Sequence, residues 1–175
     1  MVMADEPKDT GAAAVSPDPS TLDREFRHDP VMLDEVTALV AATPPGTFVD
    51  CTVGGGGHSE QILETCPHLD VLGIDRDPHA LAASAQRLAR FGTRVRFYRG
   101  RFDRIADAMA DHGIEKASGF LFDLGVSSPQ LDLAYRGFSY RNDGPLDMRM
   151  DTDAPFSAAD IVNALLALNE GKSVA

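Results

Sequence analysis

The chain has 175 residues, 43% of them hydrophobic, which is enough for one domain with a sizeable core and too few for two comfortable ones. Its formal net charge of -11 excludes a surface that grips nucleic acid everywhere by neutralising phosphates. No apolar run reaches the roughly 18 residues of a spanning helix and the N-terminus is acidic where a secretory signal is basic, so we expect a cytoplasmic protein without membrane contact.

Residues 1–22 are rich in Ala, Pro, Asp and Ser and show no apolar period. They can bury too little surface to offset the entropy of ordering, so we expect a disordered tail. After the tail, apolar residues recur at near-helical spacing until the turn formers Thr43-Pro44-Pro45-Gly46. The pattern predicts a first helix that contains Val31, Leu33, Val36, Leu39 and Val40.

From residue 46 onward, segments of strand and helix character alternate. Strands are predicted at 46–52, 71–75, 94–100 and 119–125. Helices are predicted at 58–66, from Pro78 to Gly92 with an apolar stripe of Leu81, Ala85 and Leu88, and from a capping Asp103 through Ile105 and Met109 to about His112.

This alternation predicts an α/β fold of the Rossmann-like kind, because strands joined by such helices pair in parallel through right-handed crossovers with helices on both faces. The fourth strand, with FLFDL at 120–124, is apolar almost throughout, as a strand covered on both faces should be. In the third strand Val95 and Phe97 alternate with arginines, as expected near an edge. We therefore predict the strand order 3-2-1-4.

Residues 126–155 have no clean period and hold Tyr135, Phe138 and Tyr140. Loops of this length are uncommon unless they are functional, so a functional loop is predicted. A last helix is predicted to start at the cap Ser157 and to use Ile161, Val162, Leu165, Leu166 and Leu168.

An arginine-rich stretch runs from residue 87 to residue 104, with Asp103 as its only acid. Its members are Arg87, Arg90, Arg94, Arg96, Arg99, Arg101 and Arg104. Two interpretations stay open: a solvated charged face, and contacts with nucleic-acid phosphates.

The strongest local signal is a strand followed by four glycines and the start of a helix, from Val49 to His58. Glycines permit positive φ and let a ligand approach the backbone, and the helix start offers free N–H groups. A tight turn without a ligand is the alternative, although four consecutive glycines exceed what such a turn needs.

Two acidic residues flank this loop in the predicted sheet. Asp75 ends the second strand about twenty residues later, where a carboxylate can accept hydrogen bonds from both hydroxyls of a ribose. A glycine loop followed by an acidic residue at this distance is equally typical of dinucleotide dehydrogenases. Asp50, directly before the loop, favours a ligand with an ammonium group, such as S-adenosylmethionine, because it would repel a pyrophosphate.

Asp123 ends the predicted central strand, at the point where ligands of open α/β sheets lie. A helix or loop cap is its alternative role. The turn from Gly125 to Gln130 comes next and could present hydrogen-bond acceptors to a substrate amine. Cys51 and Cys66 form neither a CxxC pair nor a metal-like cluster, so we expect free thiols and no metal.

Six segments together resemble the MraW (RsmH) family. They are HDPVMLDE (28–35), DCTVGGGGHS (50–59), GIDRDP (73–78), DLGVSSPQLD (123–132), RGFSY (136–140) and DGPLDMRMD (143–151). The resemblance implies an S-adenosylmethionine-dependent enzyme that methylates the N4 amine of a cytosine in small-subunit ribosomal RNA.

By motif position, the resemblance implies cofactor contacts at Gly56, Gly57, His58, Asp75, Phe102, Asp123 and Gln130. The residues alone predict a polar helix-start residue at His58, a core aromatic at Phe102 and an exposed loop residue at Gln130.

Methyl transfer to an amine is an in-line displacement, so the protein mainly aligns the reactants. We assign the hydrogen-bond acceptors for the cytosine amine to Asp123 and the turn Ser127-Ser128-Pro129. An unstacked base also needs an aromatic or guanidinium plane, for which Tyr135, Arg136, Phe138 and Tyr140 are candidates. The alternative is that these side chains only pack the loop onto the domain.

The resemblance implies that residues 23–125 are the N-terminal part of a cofactor-binding domain and that 126–175 hold a substrate loop and the start of an inserted helical domain. Family members are larger, so we expect a truncated chain with an incomplete sheet that exposes the apolar FLFDL edge. A binding fragment for S-adenosylmethionine or RNA and a dinucleotide oxidoreductase are the alternative functions, and a homodimer is left open.

Overall fold

In the computed structural model of this chain, residues 30–169 are described. The predicted tail at 1–22 lies outside these residues, as does the end of the chain from residue 170. Within 30–169, no helix combines the length and the apolar character needed to cross a membrane.

Four strands and six α-helices make up the described part of the chain. In chain order they are α1 (Leu33–Ala41), β1 (Gly46–Asp50), α2 (Gly57–Thr65), β2 (Leu69–Asp75), α3 (Pro78–Leu88), β3 (Val95–Arg99), α4 (Ile105–Asp111), β4 (Ala117–Leu121), α5 (Ser128–Asp132) and α6 (Ala158–Asn169). Short 3-10 turns occupy Ala89–Arg94, Phe102–Arg104 and Ala134–Arg136.

The four strands form one parallel sheet in the order β3-β2-β1-β4, as predicted. Val49 of β1 lies opposite Leu72 of β2 on one side and Phe120 of β4 on the other. Because all strands are parallel, their carboxyl ends meet along one edge of the sheet, where ligands of open α/β sheets bind. The fold is the Rossmann-like α/β arrangement that the alternating pattern predicts.

Two apolar cores cover the two faces of the sheet. Phe48 and Val49 are adjacent in β1 and therefore point to opposite faces. The first core joins Phe48 to α1, α2 and α3, through Val40, Ile62, Leu63 and Leu88. The second core joins Val49 to Leu72, Ile74 and Ala108 of α4. Helices thus lie on both faces, and the strands are held in a fixed register.

Three local predictions were wrong. The fourth strand ends at Leu121 rather than at 125, so Asp123 lies in the loop after it. In α3 the buried residues are Ala80, Ala83, Ser84 and Leu88 rather than a stripe with Ala85, which is exposed. Asp103 does not cap α4, because its side chain pairs with Arg101.

The predicted structureless loop at 126–155 contains the short helix α5 and a 3-10 turn. The chain then reaches α6, where Ser157 acts as the predicted cap: its Oγ accepts the N–H of Asp160 at 3.3 Å and donates to the Asp160 carboxylate at 2.6 Å. Hydrogen bonds from Ala158 and Ala159 to the carbonyls of Asp147 and Leu146 attach the start of α6 to this segment.

Candidate functional site

The glycine loop lies at the carboxyl end of β1 and leads into α2. Gly54 and Gly56 adopt left-handed backbone conformations, with φ of 51° and 81°. A Cβ on Gly56 would lie 3.2 Å from the Cβ of Ser84 in α3, and one on Gly57 would lie 2.4 Å from Cγ of Pro30. Glycine is thus required here by backbone conformation and by the close approach of α3 and of the segment before α1.

Asp75, at the end of β2, faces the glycine loop. Its carboxylate accepts the Gly54 N–H at 2.9 Å and the Asp77 N–H at 3.0 Å. Burial raises the pKa of this carboxyl above its ordinary value, although the two backbone donors oppose the shift. Each carboxylate oxygen has more than one acceptor position, so Asp75 retains capacity for ligand hydroxyls.

Asp50 does not play the part that the sequence suggested. Its carboxylate is 1% exposed and accepts the Ser59 hydroxyl at 2.6 Å and the Thr52 N–H at 3.2 Å. Desolvation raises the pKa of Asp50 to about 6. The prediction that Asp50 attracts a ligand ammonium is wrong for this geometry, because the carboxylate points into the base of the loop and ties it to α2.

The segments after β3 and β4 meet beside this loop. The ring centroids of Phe102 and Phe122 are 5.8 Å apart in an edge-to-face arrangement, and each side chain is 45% exposed. Phe102 is therefore a surface aromatic at the strand ends and not the core residue that its character predicted. Asp123 is exposed, and its backbone N–H donates to Oγ1 of Thr52 at 2.7 Å. This bond joins the β4 loop to the β1 loop.

The turn at 127–130 is organised by a capping box. Gln130 is 6% exposed, and its side-chain oxygen accepts the Ser127 N–H at 3.0 Å. The expectation of an exposed Gln130 was wrong, because the capping box turns its amide inward. Pro129 is also buried at the start of α5. The turn therefore has a defined shape, and it follows Asp123 closely along the chain.

His58 lies at the start of α2 and is 8% exposed. Its Nε2 lies 3.0 Å from the Val31 carbonyl oxygen, to which it can donate a hydrogen bond. His58 thus connects the glycine loop to the segment before α1. This structural role supports the interpretation of a helix-start polar residue and leaves the implied cofactor contact a prediction.

The candidate RNA-facing side chains differ in exposure. Tyr140 is 87% exposed and Tyr135 is 52% exposed, whereas Phe138 is half-buried. Arg136 is buried and donates to the Asp77 carboxylate at 2.7 Å. Its guanidinium is therefore engaged inside the protein, so the prediction that it offers a stacking plane was wrong.

The arginine-rich stretch divides into two groups. The exposed residues Arg90, Arg99, Arg101 and Arg104 agree with the interpretation of a solvated charged face, whereas Arg94 and Arg96 are engaged within the protein. Contact with nucleic-acid phosphates stays a prediction. Arg94 donates to the carbonyls of Leu63, Cys66 and Leu69, and Arg96 donates to the carbonyl of His112. The other five arginines pair with carboxylates: Arg87 and Arg90 with Glu60, Arg99 with Asp151 and Asp153, Arg101 with Asp103, and Arg104 with Asp107. The contacts of Arg87, Arg90, Arg94 and Arg99 join parts of the chain that are distant in sequence, whereas those of Arg101 and Arg104 are local.

Both cysteines are buried free thiols, on opposite faces of the sheet. Burial raises the pKa of Cys51 to about 12, which keeps it protonated and unreactive. Among residues 30–169, no group of three or more His, Cys, Asp or Glu side chains is arranged to hold a metal ion.

Sequence reasoning missed three residues at this edge. Thr52 joins two loops, Phe122 partners Phe102, and Asp77 caps α3 while it binds Arg136. The Asp77-Pro78 pair carried a helix-start signal that could have identified the cap. No local signal identifies the partners of the other two, because these lie about 20 residues or more away along the chain.

Comparison with known proteins gives one consistent result. Residues 25–169 match the model of the MraW methylase family. A ribosomal RNA small subunit methyltransferase H from Mycobacterium sp. (strain KMS) is 49% identical over 164 residues, covering 89% of this chain and 43% of the relative.

Two further relatives carry the same name. The protein from Mycolicibacterium smegmatis is 52% identical, with 82% of this chain and 40% of the relative covered. The protein from Symbiobacterium thermophilum is 49% identical, with 79% of this chain and 44% of the relative covered. The chain therefore spans less than half the length of these curated relatives.

Proposed function

Because the chain belongs to the MraW methylase family, we propose that it carries the cofactor-binding part of an S-adenosylmethionine-dependent methyltransferase acting on the N4 amine of a cytosine in small-subunit ribosomal RNA. The observation that carries the proposal is the meeting of the glycine loop, Asp75, Phe102 and Asp123 at one edge of the parallel sheet. The names of the relatives support the RNA substrate.

The residues at this edge fit the cofactor. Asp75 is partly buried, and its carboxylate accepts hydrogen bonds from backbone N–H groups, which leaves acceptor positions for ribose hydroxyls. Phe102 offers an exposed ring at the neighbouring strand end. Gln130 fits less well, because its side-chain oxygen already accepts the Ser127 N–H. We therefore assign Asp75 and Phe102, with the glycine loop around Gly56 and Gly57, to binding.

When bound, S-adenosylmethionine supplies a methyl group activated by its sulfonium. The cytosine amine is a weak nucleophile, because its lone pair is delocalised into the ring. Asp123 is an exposed carboxylate whose backbone is fixed by Thr52, so it can hold an amine N–H without a large rearrangement. The turn Ser127-Ser128-Pro129 is the second candidate for amine contacts, since its shape is set by the capping box.

The division of the chain that the family resemblance implies is part of the same proposal. Residues 23–125 would form the N-terminal part of the cofactor domain, and 126–175 would carry the substrate loop and the start of a helical domain. The exposure of Tyr135 and Tyr140 supports a role in holding an unstacked base. Phe138, which is half-buried, is the less accessible candidate for the same role.

Isothermal titration with S-adenosylmethionine tests the cofactor assignment. We expect wild-type binding, and a dissociation constant about tenfold or more higher for Asp75→Asn, which loses a charged acceptor. The control Asp70→Asn, a more exposed carboxylate at the opposite end of β2, should bind like the wild type. A folded wild-type chain that binds NAD and not S-adenosylmethionine would contradict the proposal.

Transfer of a labelled methyl group to small-subunit ribosomal RNA tests the reaction. We expect Asp123→Asn to lower turnover at saturating cofactor by about 100-fold, because a positioned acceptor acts mainly in the transition state, and titration of the same variant measures separately how far Asp123 also contributes to cofactor binding. An unchanged rate would remove Asp123 from the mechanism. Cofactor binding without methyl transfer by the wild type would favour the alternative of a binding fragment.

A further inference from the structure

A buried ion pair connects two parts of the chain that the proposed function treats separately. Arg136 Nη2 lies 2.7 Å from the Asp77 carboxylate, and both side chains are 3% exposed. Of the ion pairs within residues 30–169, it is the only one whose two partners are both this deeply buried. Neither residue belongs to the proposed ligand contacts.

The Asp77 side of the pair is rigidly attached to the cofactor edge. The Asp77 N–H donates to the carboxylate of Asp75, two residues earlier, at 3.0 Å. Its own carboxylate caps α3 by accepting the His79 N–H at 3.0 Å. Asp77 is therefore fixed by the end of β2 and by the start of α3.

The Arg136 side holds the segment after α5 in a closed loop. Its guanidinium also donates to the carbonyls of Arg149 and Met150 at 3.2 Å, and its carbonyl accepts the Met148 N–H at 3.1 Å. Arg136 therefore gathers both ends of the segment 137–148, which includes Tyr140. Gln130 adds a weaker contact, with its side-chain nitrogen 3.5 Å from the Asp77 carboxylate.

A buried ion pair is a poor source of net stability, because desolvation offsets most of its attraction. A buried ion pair does, however, fix the relative position of the two segments that carry it. Its charged groups are hydrogen-bonded in only one geometry, whereas apolar contacts allow one surface to shift along the other. Two other ties join this part of the chain to the sheet. Arg99 pairs with Asp151 and Asp153, just beyond the segment, and these pairs are more exposed and therefore weaker. Arg76 Nη2 lies 2.6 Å from Sδ of Met150, and a thioether sulfur is a weak acceptor. Position is thus set mainly at Asp77.

We propose that Asp77 and Arg136 form a positioning pair that sets the RNA-facing segment 134–150 against the cofactor-binding Asp75. The inference rests on the proposed function, because it takes Asp75 as a cofactor contact and this segment as the substrate loop. It adds that occupancy of the cofactor site is transmitted to the loop through Asp75, Asp77 and Arg136. Neither member of the pair touches substrate.

Amide hydrogen exchange of peptides within 134–150, with and without S-adenosylmethionine, tests the pair. In the wild type we expect the cofactor to slow exchange of these peptides. In Arg136→Met, exchange without cofactor should rise about tenfold or more and the cofactor should no longer slow it, because the loop loses its anchor. Peptides of β1 and α2, and the cofactor dissociation constant, should change less than about threefold.

Three variants complete the experiment. Arg136→Lys keeps the charge and several donors, so it should restore the cofactor effect on the loop. Asp77→Asn keeps a helix cap but loses the charge, so it should resemble Arg136→Met, and the double variant should be no worse than either single one. Arg104→Met, which removes an exposed pair with Asp107, should behave like the wild type.

The outcomes separate the two ideas. Uniformly faster exchange across the chain in Arg136→Met would show that the pair only contributes to the overall stability of the fold, and it would overturn the inference. Cofactor binding that protects the loop equally in wild type and Arg136→Met would overturn it while leaving the proposed function intact. A folded wild type that binds no S-adenosylmethionine would contradict the proposed function, and the positioning role with it.

Discussion

Three carboxylates near the ends of β1 and β2 differ in what surrounds them. Asp50 accepts a hydroxyl and a backbone N–H, Asp75 accepts two backbone N–H groups, and Asp77 binds a guanidinium. Burial raises the pKa of Asp50 and of Asp75. The same residue type therefore serves as a loop anchor at Asp50, an acceptor of backbone N–H groups at Asp75 and an ion-pair partner at Asp77, depending on the donors it meets.

The buried carboxyl of Asp50 predicts a pH dependence of stability. Its pKa is about 6 in the folded chain and 3.8 in the reference state, so between these values the folded chain holds a proton that the unfolded chain releases. Protonation of Asp50 in the folded chain therefore stabilises the fold. This contribution to the free energy of unfolding is fully present below about pH 4 and is lost as the pH rises through about 6. A shift of this size corresponds to about 3 kcal/mol.

We therefore expect the free energy of unfolding of Asp50→Asn, relative to the wild type, to increase by up to about 3 kcal/mol from pH 4 to pH 7. Urea unfolding followed by circular dichroism at several pH values measures this difference. Asp111→Asn, an exposed carboxylate, provides the background. A constant difference between Asp50→Asn and the wild type across that range would show that Asp50 does not titrate there.

At the scale of elements, the glycine loop serves packing as well as ligand approach. Gly56 begins α2 with φ of 81°, and the space that its side chain would occupy is taken by Ser84 and Leu88 of α3. The loop therefore determines how closely α2 and α3 approach. Arg87 strengthens this junction by donating to the Gly55 carbonyl at 3.1 Å.

Gly56→Ala should lower the free energy of unfolding by about 2 kcal/mol or more, from left-handed strain plus the contact with α3. Gly113→Ala is a matched control, because Gly113 has φ of 66° and nothing within 4 Å of an added Cβ. Gly113→Ala should lower the free energy of unfolding by only about 1 kcal/mol, the cost of the left-handed backbone conformation alone. Equal losses in thermal or urea unfolding would show that the Ser84 and Leu88 contact contributes nothing.

At the scale of the whole molecule, the described sheet ends at β4, which pairs with β1 alone among residues 30–169. Apolar side chains lie exposed on and after this strand: Phe120, Phe122, Leu124 and Val126. A strand with a free edge and apolar neighbours is a site for pairing with other chains. Within residues 30–169 this matches the predicted exposed edge, whereas the expectation that the apolar FLFDL is covered on both faces was wrong.

Phe120→Lys should therefore reduce concentration-dependent self-association of the chain, because an edge lysine opposes strand pairing. Phe120 is 48% exposed, so we expect the melting temperature to change by only a few degrees. Sedimentation velocity over a range of concentrations measures the effect. Leu39→Lys, which changes a 75% exposed residue on a helix, controls for the loss of surface hydrophobicity. Equal effects of the two variants would argue against strand pairing.

Much of the fold could be predicted from the sequence, because its signals are local. Helix periodicity, turn residues and the two strand types led to the correct element order and to the sheet order β3-β2-β1-β4. The same local chemistry identified the glycine loop, Asp75 and the edge at β4. Motif matches supplied the family, since they record residues that act together without needing their positions in space.

Only the tertiary structure decided which partner each polar side chain meets. Arg94, Arg96 and Arg136 have the charge of an RNA surface, yet each of them binds a carboxylate or a carbonyl 16 or more residues away along the chain. Asp50 turned inward to Ser59, and Phe102 remained exposed beside Phe122. Such partners lie tens of residues apart in the sequence and are brought together only when the chain folds. Each charged group then pairs with the donor or acceptor that the packing of the core places within about 3 Å of it, and local sequence does not identify that partner.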